Sequence, residues 1–341
     1  MKNKKLILLP SLFLLVACNS GKTSPSIDDY RATLSFSDDT FNIMQLTDIH
    51  WTYTTNLNES KAYMQDLFDD AKKQLGHIDL LMVTGDSLLN ANKYIAESLF
   101  DFLSTWAVPV AVNYGNHDKQ GEWSTSWLNN KISTTKNFIS KIVDDDLQGN
   151  TNFFIDIMDG NERAWQIYVL DSNSYMGKNL IKYQYDYIHE NQVDWMKNIA
   201  DSSKVNGEYV PSIGFIHIPT LEMDEAIDGG GVTLLGEQHE ANSNAKVYSP
   251  FFDTAKEINM KGFFFGHDHS NDLVTKYKDM VMGYGVKSNT ELYYYKDNSG
   301  FTRTGYATYS LKKDKSWSLQ HVLMDYNDHS NIQRSIVWES K

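Results

Sequence analysis

This 341-residue sequence predicts an α/β fold, and three observations carry the prediction. Short apolar runs rich in β-branched residues alternate with stretches whose apolar residues recur at helical spacing, as in βαβ units. Five of the apolar runs end in carboxylate, amide or imidazole side chains, and ligands of open α/β sheets collect at such strand ends. A composition of 41% hydrophobic against 22% charged residues supplies a substantial core and gives no sign of global disorder.

Taken in order, Phe41 to Thr47 alternates and then turns apolar, a strand that delivers Asp48 and His50. Residues two apart share a face where a chain is extended, so both side chains can reach one metal ion. An Asp-x-His triplet is equally compatible with a capping aspartate and a surface histidine. Glu59 to Leu75 carries Met64, Leu67, Phe68, Ala71 and Leu75 on one helical face, with Asn58 and Gly76 as caps. Leu80 to Thr84 is a second strand, ending in Gly85-Asp86. Ile95, Leu99, Phe102, Leu103 and Trp106 trace another helix. The strand Val108 to Asn113 follows and runs into Gly115-Asn116-His117-Asp118. That tetrapeptide places a turn-forming glycine, an amide oxygen, a proton-transferring imidazole and a carboxylate side by side.

Residues 119–150 read as a polar surface helical insertion, with Asp144, Asp145 and Asp146 as a solvated face. Phe153 to Ile157 and Gln166 to Leu170 form a hairpin around Asp159-Gly160, and Gln192 and Trp195 lie on a helix that packs back on the sheet. Ser212 to Ile216 is a strand closing on His217. The stretch 222–246, with Gly229, Gly230, Gly231 and His239, reads as a long loop, either a lid or a binding loop. Lys261 to Phe265 ends in Gly266-His267-Asp268-His269, a stronger metal signal than a single histidine. Antiparallel strands follow near Gly305 to Leu311 and Trp317 to Met324, the latter turning His321 into the core as a satisfied histidine.

The N-terminus reads differently. Lys2, Lys4 and Lys5 precede an apolar segment from Leu6 to Ala17 that is too short to span a bilayer, so residues 1–17 read as a signal peptide. Its end, Leu15-Val16-Ala17-Cys18, resembles the lipobox of bacterial lipoproteins, which implies cleavage before Cys18, lipidation, and a membrane anchor on the extracytoplasmic side. Cys18 is the chain's single cysteine, so no internal disulfide forms. Residues 18–30 then read as the lipidated cysteine and a tether, and 31–341 as the folded domain. The net charge of −13 becomes more negative when the three lysines leave. Such a surface argues against a nucleic-acid groove and against polybasic lipid binding, but leaves room for a small phosphorylated substrate met by a local metal cluster.

Asp-x-His, Gly-Asp, Gly-Asn-His-Asp, a lone His and Gly-His-x-His, in that order and each after a strand, resemble the calcineurin-like metallophosphoesterase superfamily. Phe215 to Pro219, Gly266 to Asp272, Leu170-Asp171-Ser172 and Gln192 to Trp195 are similar to the branch related to purple acid phosphatases and Dcr2-type phosphatases. The resemblance implies a four-layer α/β/β/α sandwich with two mixed sheets and a dinuclear centre of Fe, Zn or Mn. Asp48, His50 and His269 would bind one ion and Asn116, His217 and His267 the other, with Asp86 bridging. Carboxylate and imidazole donors suit those metals. The implied reaction is hydrolysis of phosphate esters, monoesters before diesters, by in-line attack of a metal-bridging hydroxide. His117 would protonate the leaving oxygen or stabilise charge there, with Asp118 orienting the imidazole. Purple acid phosphatases carry a tyrosine where this chain has Leu89, so no iron–tyrosinate colour is expected. In the 222–246 loop, His239 and Glu240 either touch substrate or lie on a mobile surface. A different class remains open: a lipoprotein that only binds a ligand on this scaffold.

Overall fold

A computed structural model of the protein describes residues 25–176 and 184–340. The expected signal peptide, Cys18 and the first part of the expected tether lie outside the described residues. Within the tether stretch, Ile27–Tyr30 forms one 3-10 turn, and Tyr30 is buried against Trp195 with its hydroxyl on Asp145. The domain edge therefore begins a few residues before position 31.

The chain runs through β1 (Arg31–Ser35), β2 (Thr40–Leu46), α1 (Leu57–Leu75), β3 (Leu80–Thr84), α2 (Lys93–Ser104), β4 (Val110–Asn113) and α3 (Thr125–Thr134). There follow β5 (Phe153–Asp159), β6 (Glu162–Val169), α4 (Glu190–Ser202), β7 (Ser212–Phe215), α5 (Leu221–Glu225), β8 (Val232–Leu235), α6 (Phe251–Glu257) and β9 (Met260–Phe265). The last part is all strand: β10 (Val274–Tyr277), β11 (Met280–Tyr284), β12 (Thr304–Lys312), β13 (Trp317–Met324), β14 (Ile332–Arg334) and β15 (Trp338–Glu339).

Two mixed sheets result. One has the order β1-β5-β6-β7-β9-β11-β10-β8, with β6, β7, β9 and β11 mutually parallel. The other has the order β14-β13-β12-β2-β3-β4, with β2, β3 and β4 parallel and β15 beside β13. Between them lies an apolar layer that includes Phe41, Ile43, Phe215, Phe264, Tyr309 and Trp317. The helices α1 and α2 cover the outer face of the second sheet through Leu67, Phe68, Leu99 and Leu103. The helices α4 and α6 cover the first through Val193, Met196, Phe251 and Phe252. The four expected layers are present. Strands buried on both faces explain why β3 and β4 read as continuous apolar runs rather than alternating ones.

Local chemistry sets the helix ends. Asn56, not Asn58, caps α1 by accepting the Glu59 N–H, and Gly76 ends it at φ 81°, a conformation a Cβ would strain. Asn92 caps α2 in the same way. The 222–246 stretch departs from the expected loop: α5, a π-type turn at Ala226–Gly230, and β8 occupy its first half. Its second half is fastened down. The Asn271 side chain accepts from the His239 and Glu240 N–H groups, and Asp272 accepts from that of Glu237. His321 is buried in the core, as expected.

Candidate metal centre

Strands β2, β3, β4, β7 and β9 all end at one edge of the sandwich, and the residues just past their ends meet there. The backbone does this by turning sharply. Asp48, His50, Asp86 and His267 have φ of 54°, 53°, 50° and 82°, left-handed conformations that non-glycine residues avoid. Asp48 and His50 therefore share a site through a doubly left-handed turn, not through the extended geometry that spacing by two suggests. The neighbouring glycines allow the approach. A Cβ at Gly266 would sit on the Asp48 carboxylate, and one at Gly85, itself at φ 84°, would sit on the His217 ring.

Six of the seven expected ligand residues come together, buried, in two groups that share Asp86, and the seventh, Asn116, is buried beside His217. In the first, the Nε2 atoms of His50 and His269 lie 3.6 and 3.4 Å from Asp48 Oδ1 and 2.9 Å from each other. Asp86 Oδ2 is 3.6 Å from His50 Nε2. The second joins the same Asp86 Oδ2 to His217 Nε2 at 3.2 Å, with Asn116 Oδ1 also 3.2 Å from that nitrogen and His267 alongside. His217 Nδ1 donates to the Thr84 carbonyl at 2.9 Å, which turns Nε2 toward the Asp86 and Asn116 oxygens.

This set fits cations. His267 Nε2 is buried without a hydrogen bond, and two imidazole nitrogens 2.9 Å apart can share only one proton. Such orphans are costly unless a positive ion stands between them. Protonation points the same way. Burial pushes His50 and His267 down to about 3, and lowers His269. Burial would raise Asp48 and Asp86, but hydrogen bonds and charge from the histidines hold both below the usual carboxylate range. His217 is the exception: burial disfavours its charge, yet the Asp86 carboxylate lifts it to about 10. A metal taken up on this side would displace that proton.

His117 stands at the mouth, partly exposed, with Nε2 4.0 Å from Asp86 Oδ2 and its ring edge-on to His50. Asp118 does not orient it, which corrects the expected pairing. Its carboxylate turns inward and accepts four backbone N–H groups, from Asp86 (2.9 Å), Gly115 (2.7 Å), Ser87 (2.9 Å) and Leu88 (3.1 Å). Burial and the Asp86 charge push Asp118 up to about 7, against the pull of those donors. The group facing His117 Nδ1 is Gln120 Oε1, at 2.7 Å across one 3-10 turn. The i, i+3 spacing could have suggested it.

Other neighbours carried no sequence signal. Tyr293, itself 46% exposed, lies over His269 with ring centroids 4.3 Å apart, and its hydroxyl donates to Glu240 Oε2. Tyr185 meets the His267 ring edge-on, and the Tyr175 hydroxyl accepts from Asn116 Nδ2. Glu240 also accepts the Ser270 N–H, so it braces the histidine segment and is not a mobile surface group. His239 stacks on Tyr295. Trp51 is fully buried and donates to Ser60, a core residue. Leu89 is buried apolar packing. The Leu170-Asp171-Ser172 phrase supports the His217 segment: Ser172 Oγ accepts the Ile218 N–H, and Gln192 donates to the Asp171 carbonyl.

A two-sheet α/β sandwich with paired carboxylate–histidine clusters at one sheet edge is a scaffold for a candidate dinuclear metal centre. The family model for calcineurin-like phosphoesterases matches residues 41–271, and the chain belongs to that family. It is similar to an uncharacterized protein of Schizosaccharomyces pombe, 29% identical over 77% of this chain and 54% of that one. It is also 25% identical to the "probable inactive purple acid phosphatase 28" of Arabidopsis thaliana, over 77% and 73%. The phosphatase DCR2 of Saccharomyces cerevisiae is 28% identical over 63% of this chain and 39% of its own length. The chain thus spans about half the length of the first of these relatives. Among solved structures, a dimetal phosphatase of Danio rerio superposes with a TM-score of 0.54 at 12% identity, covering 83% of this chain and 96% of that one. That likeness concerns the fold.

Proposed function

We propose that this protein hydrolyses phosphate esters of small molecules at a dinuclear metal centre, with monoesters preferred over diesters. The observation that carries the reading is the single Asp86 carboxylate shared by two buried ligand clusters, with a partly exposed imidazole at their mouth. Asp48, His50 and His269 would hold one ion, Asn116, His217 and His267 the other, and Asp86 both. Bound there, the ions supply Lewis-acid activation for phosphoryl transfer to water. The chain's own residues do the rest. The buried carboxylates fix the ligand geometry, and His117 Nε2 gives a proton to the departing ester oxygen. Gln120 Oε1 holds the other ring nitrogen and so fixes the orientation of the ring. The monoester preference is supported by the phosphatase names among the relatives.

A second reading has one observation in its favour: some relatives are named probable inactive phosphatases. A binding protein on a retired scaffold tolerates lost ligands, whereas here all seven ligand residues and His117 are in place. Elemental analysis combined with turnover of p-nitrophenyl phosphate and of its bis-ester separates the readings. Two bound metals with faster monoester turnover is the expected result. Two metals without turnover of either ester would establish the binding reading instead.

The proposal extends to location. The Leu15-Val16-Ala17-Cys18 run supports export and lipid anchoring at Cys18, on the extracytoplasmic side of a membrane. Lipidation at both thiol and amine would give the two-chain attachment that stable anchoring takes. Labelled fatty acid should enter the wild type and not Cys18→Ala; equal labelling would overturn the anchor.

A further inference from the structure

The Asp48–His50 turn is strained twice over, and such backbone persists only where its surroundings over-determine it. On one side the Gly85–Ser87 loop accepts its N–H groups: Asp48 N to Gly85 O, His50 N to Asp86 O and Trp51 N to Ser87 O. On the other side stand three consecutive residues that follow β11. Lys287 Nζ donates to the Asp48 carbonyl at 2.8 Å, and Asn289 Nδ2 to the Ile49 carbonyl at 3.1 Å. Between them, Ser288 N donates to the Thr47 carbonyl while Ser288 Oγ accepts the Thr47 N–H. All three are buried, Lys287 at 3% exposure. Gly305 ties the segment back to β12 by donating to the Lys287 carbonyl.

A buried ammonium is expensive, and it is usually found against a carboxylate. Among the described ion pairs none involves Lys287; the bond to its name is the one to the Asp48 main chain. This placement has a chemical consequence. The Asp48 and Ile49 carbonyls fix the two peptide planes on either side of Ile49, and those planes aim the Asp48 carboxylate and the His50 imidazole at one point. We propose that Lys287 and Asn289 are positioning residues for the first metal half-site, acting on its geometry through the backbone and not as ligands. The proposal rests on the metal-centre reading above.

Two forces act in opposite directions at Lys287, which makes the sign of the effect decisive. Its positive charge repels a cation, so removing it should tighten metal binding if charge dominates. Its hydrogen bond holds the turn, so removing it should weaken the first half-site if positioning dominates. Loss of a group that orients metal ligands typically weakens metal affinity about 10–100-fold.

The test is calorimetric titration of metal-free protein with Zn²⁺, with elemental analysis and the melting temperature of the metal-free form as a fold control. Wild type should show two sites. Lys287→Met should keep one at wild-type strength and weaken the other by about 10-fold or more. Lys287→Gln, which retains a donor without the charge, should recover most of that loss, and Asn289→Ala should weaken the same site. Parallel titration of Asn116→Ala, which keeps the first half-site intact, identifies which site is affected. Tighter binding in Lys287→Met, unchanged binding, or equal loss at both sites would each overturn the positioning role. A wild type that takes up no metal would instead overturn the metal-centre reading, so the two failures are distinguishable.

Discussion

Replacing Asp118 by asparagine tests whether this carboxylate serves the proton-donating histidine or the scaffold beneath it. In the structure each Asp118 oxygen accepts two backbone N–H groups: Oδ2 takes Asp86 and Gly115, Oδ1 takes Ser87 and Leu88. An asparagine has one oxygen, so it can serve one pair, and its amide presents donors to the other pair. Two buried N–H groups are left unsatisfied, at about 1–3 kcal/mol each, so the folded state loses about 2–6 kcal/mol. That is a large share of the ~5–15 kcal/mol typical of a folded protein. Because the destabilised loop carries Asp86, metal loading should fall at both half-sites. Urea unfolding of the metal-free protein should show a lower midpoint, and elemental analysis fewer than two ions. At equal metal content the remaining activity should fall evenly across esters of different leaving-group acidity. An unchanged midpoint and full loading, with a loss confined to alkyl esters, would refute this and restore Asp118 as the partner of His117.

Three further outcomes are expected. His117→Asn should keep both metals and reduce kcat/KM for alkyl phosphates by about 10²–10⁴-fold, and much less for p-nitrophenyl phosphate, whose leaving group needs no proton; a uniform loss across leaving groups would contradict proton donation. Asp86→Ala should lose metal at both half-sites and Asn116→Ala at one, as read by elemental analysis after dialysis; two tightly held ions in Asp86→Ala would contradict the shared bridge. Burial holds His321 down at about 4, so the unfolded chain takes its proton near pH 6.5 while the folded chain refuses it until about pH 4. Stability should therefore fall by about 3 kcal/mol as pH drops through that window, and the slope attributable to this residue should vanish in His321→Gln; parallel urea-derived stability curves for the two proteins would refute it.

What could be seen in the sequence, and what could not, divides along a physical line. Strand ends were visible because apolar runs stop abruptly, and the side chains that follow them are chemically conspicuous. Asp48, His50, Asp86, Asn116, His217, His267 and His269 could all be picked out in this way. The α/β class followed from the alternation of strand and helix, and the four layers and the ligand set from the family resemblance. Direction was harder. Nothing in Gly-Asn-His-Asp says that Asp118 turns inward to four N–H groups while His117 turns outward to Gln120, because adjacent side chains in a tight turn diverge by dihedral angles that composition does not encode. The same holds for Asp48 and His50, which spacing places on one face of an extended strand and the structure places on a left-handed turn.

The least legible residues act through long-range contacts. Lys287 and Asn289 lie some 240 positions from the carbonyls they hold, in a stretch with no apolar period and no recognisable motif. Tyr293 reaches His269 from the irregular stretch between β11 and β12. The 222–246 stretch misled for a related reason. Its glycines and polar residues suggest freedom, but Asn271, Asp272 and Ser270, on the segment that carries the paired histidines, bind its backbone and Glu240 from across the sheet edge. A loop's constraint is written in its partners. Here those partners are the residues immediately after His269, so the Gly-His-x-His motif and the loop that covers it form one hydrogen-bonded unit. A substitution such as Asn271→Ala should therefore loosen the loop and the first half-site together, seen as faster amide exchange in the loop and weaker Zn²⁺ uptake at that site, although the described hydrogen bonds of Asn271 go to His239, Glu240 and Asp268 and to no ligand residue.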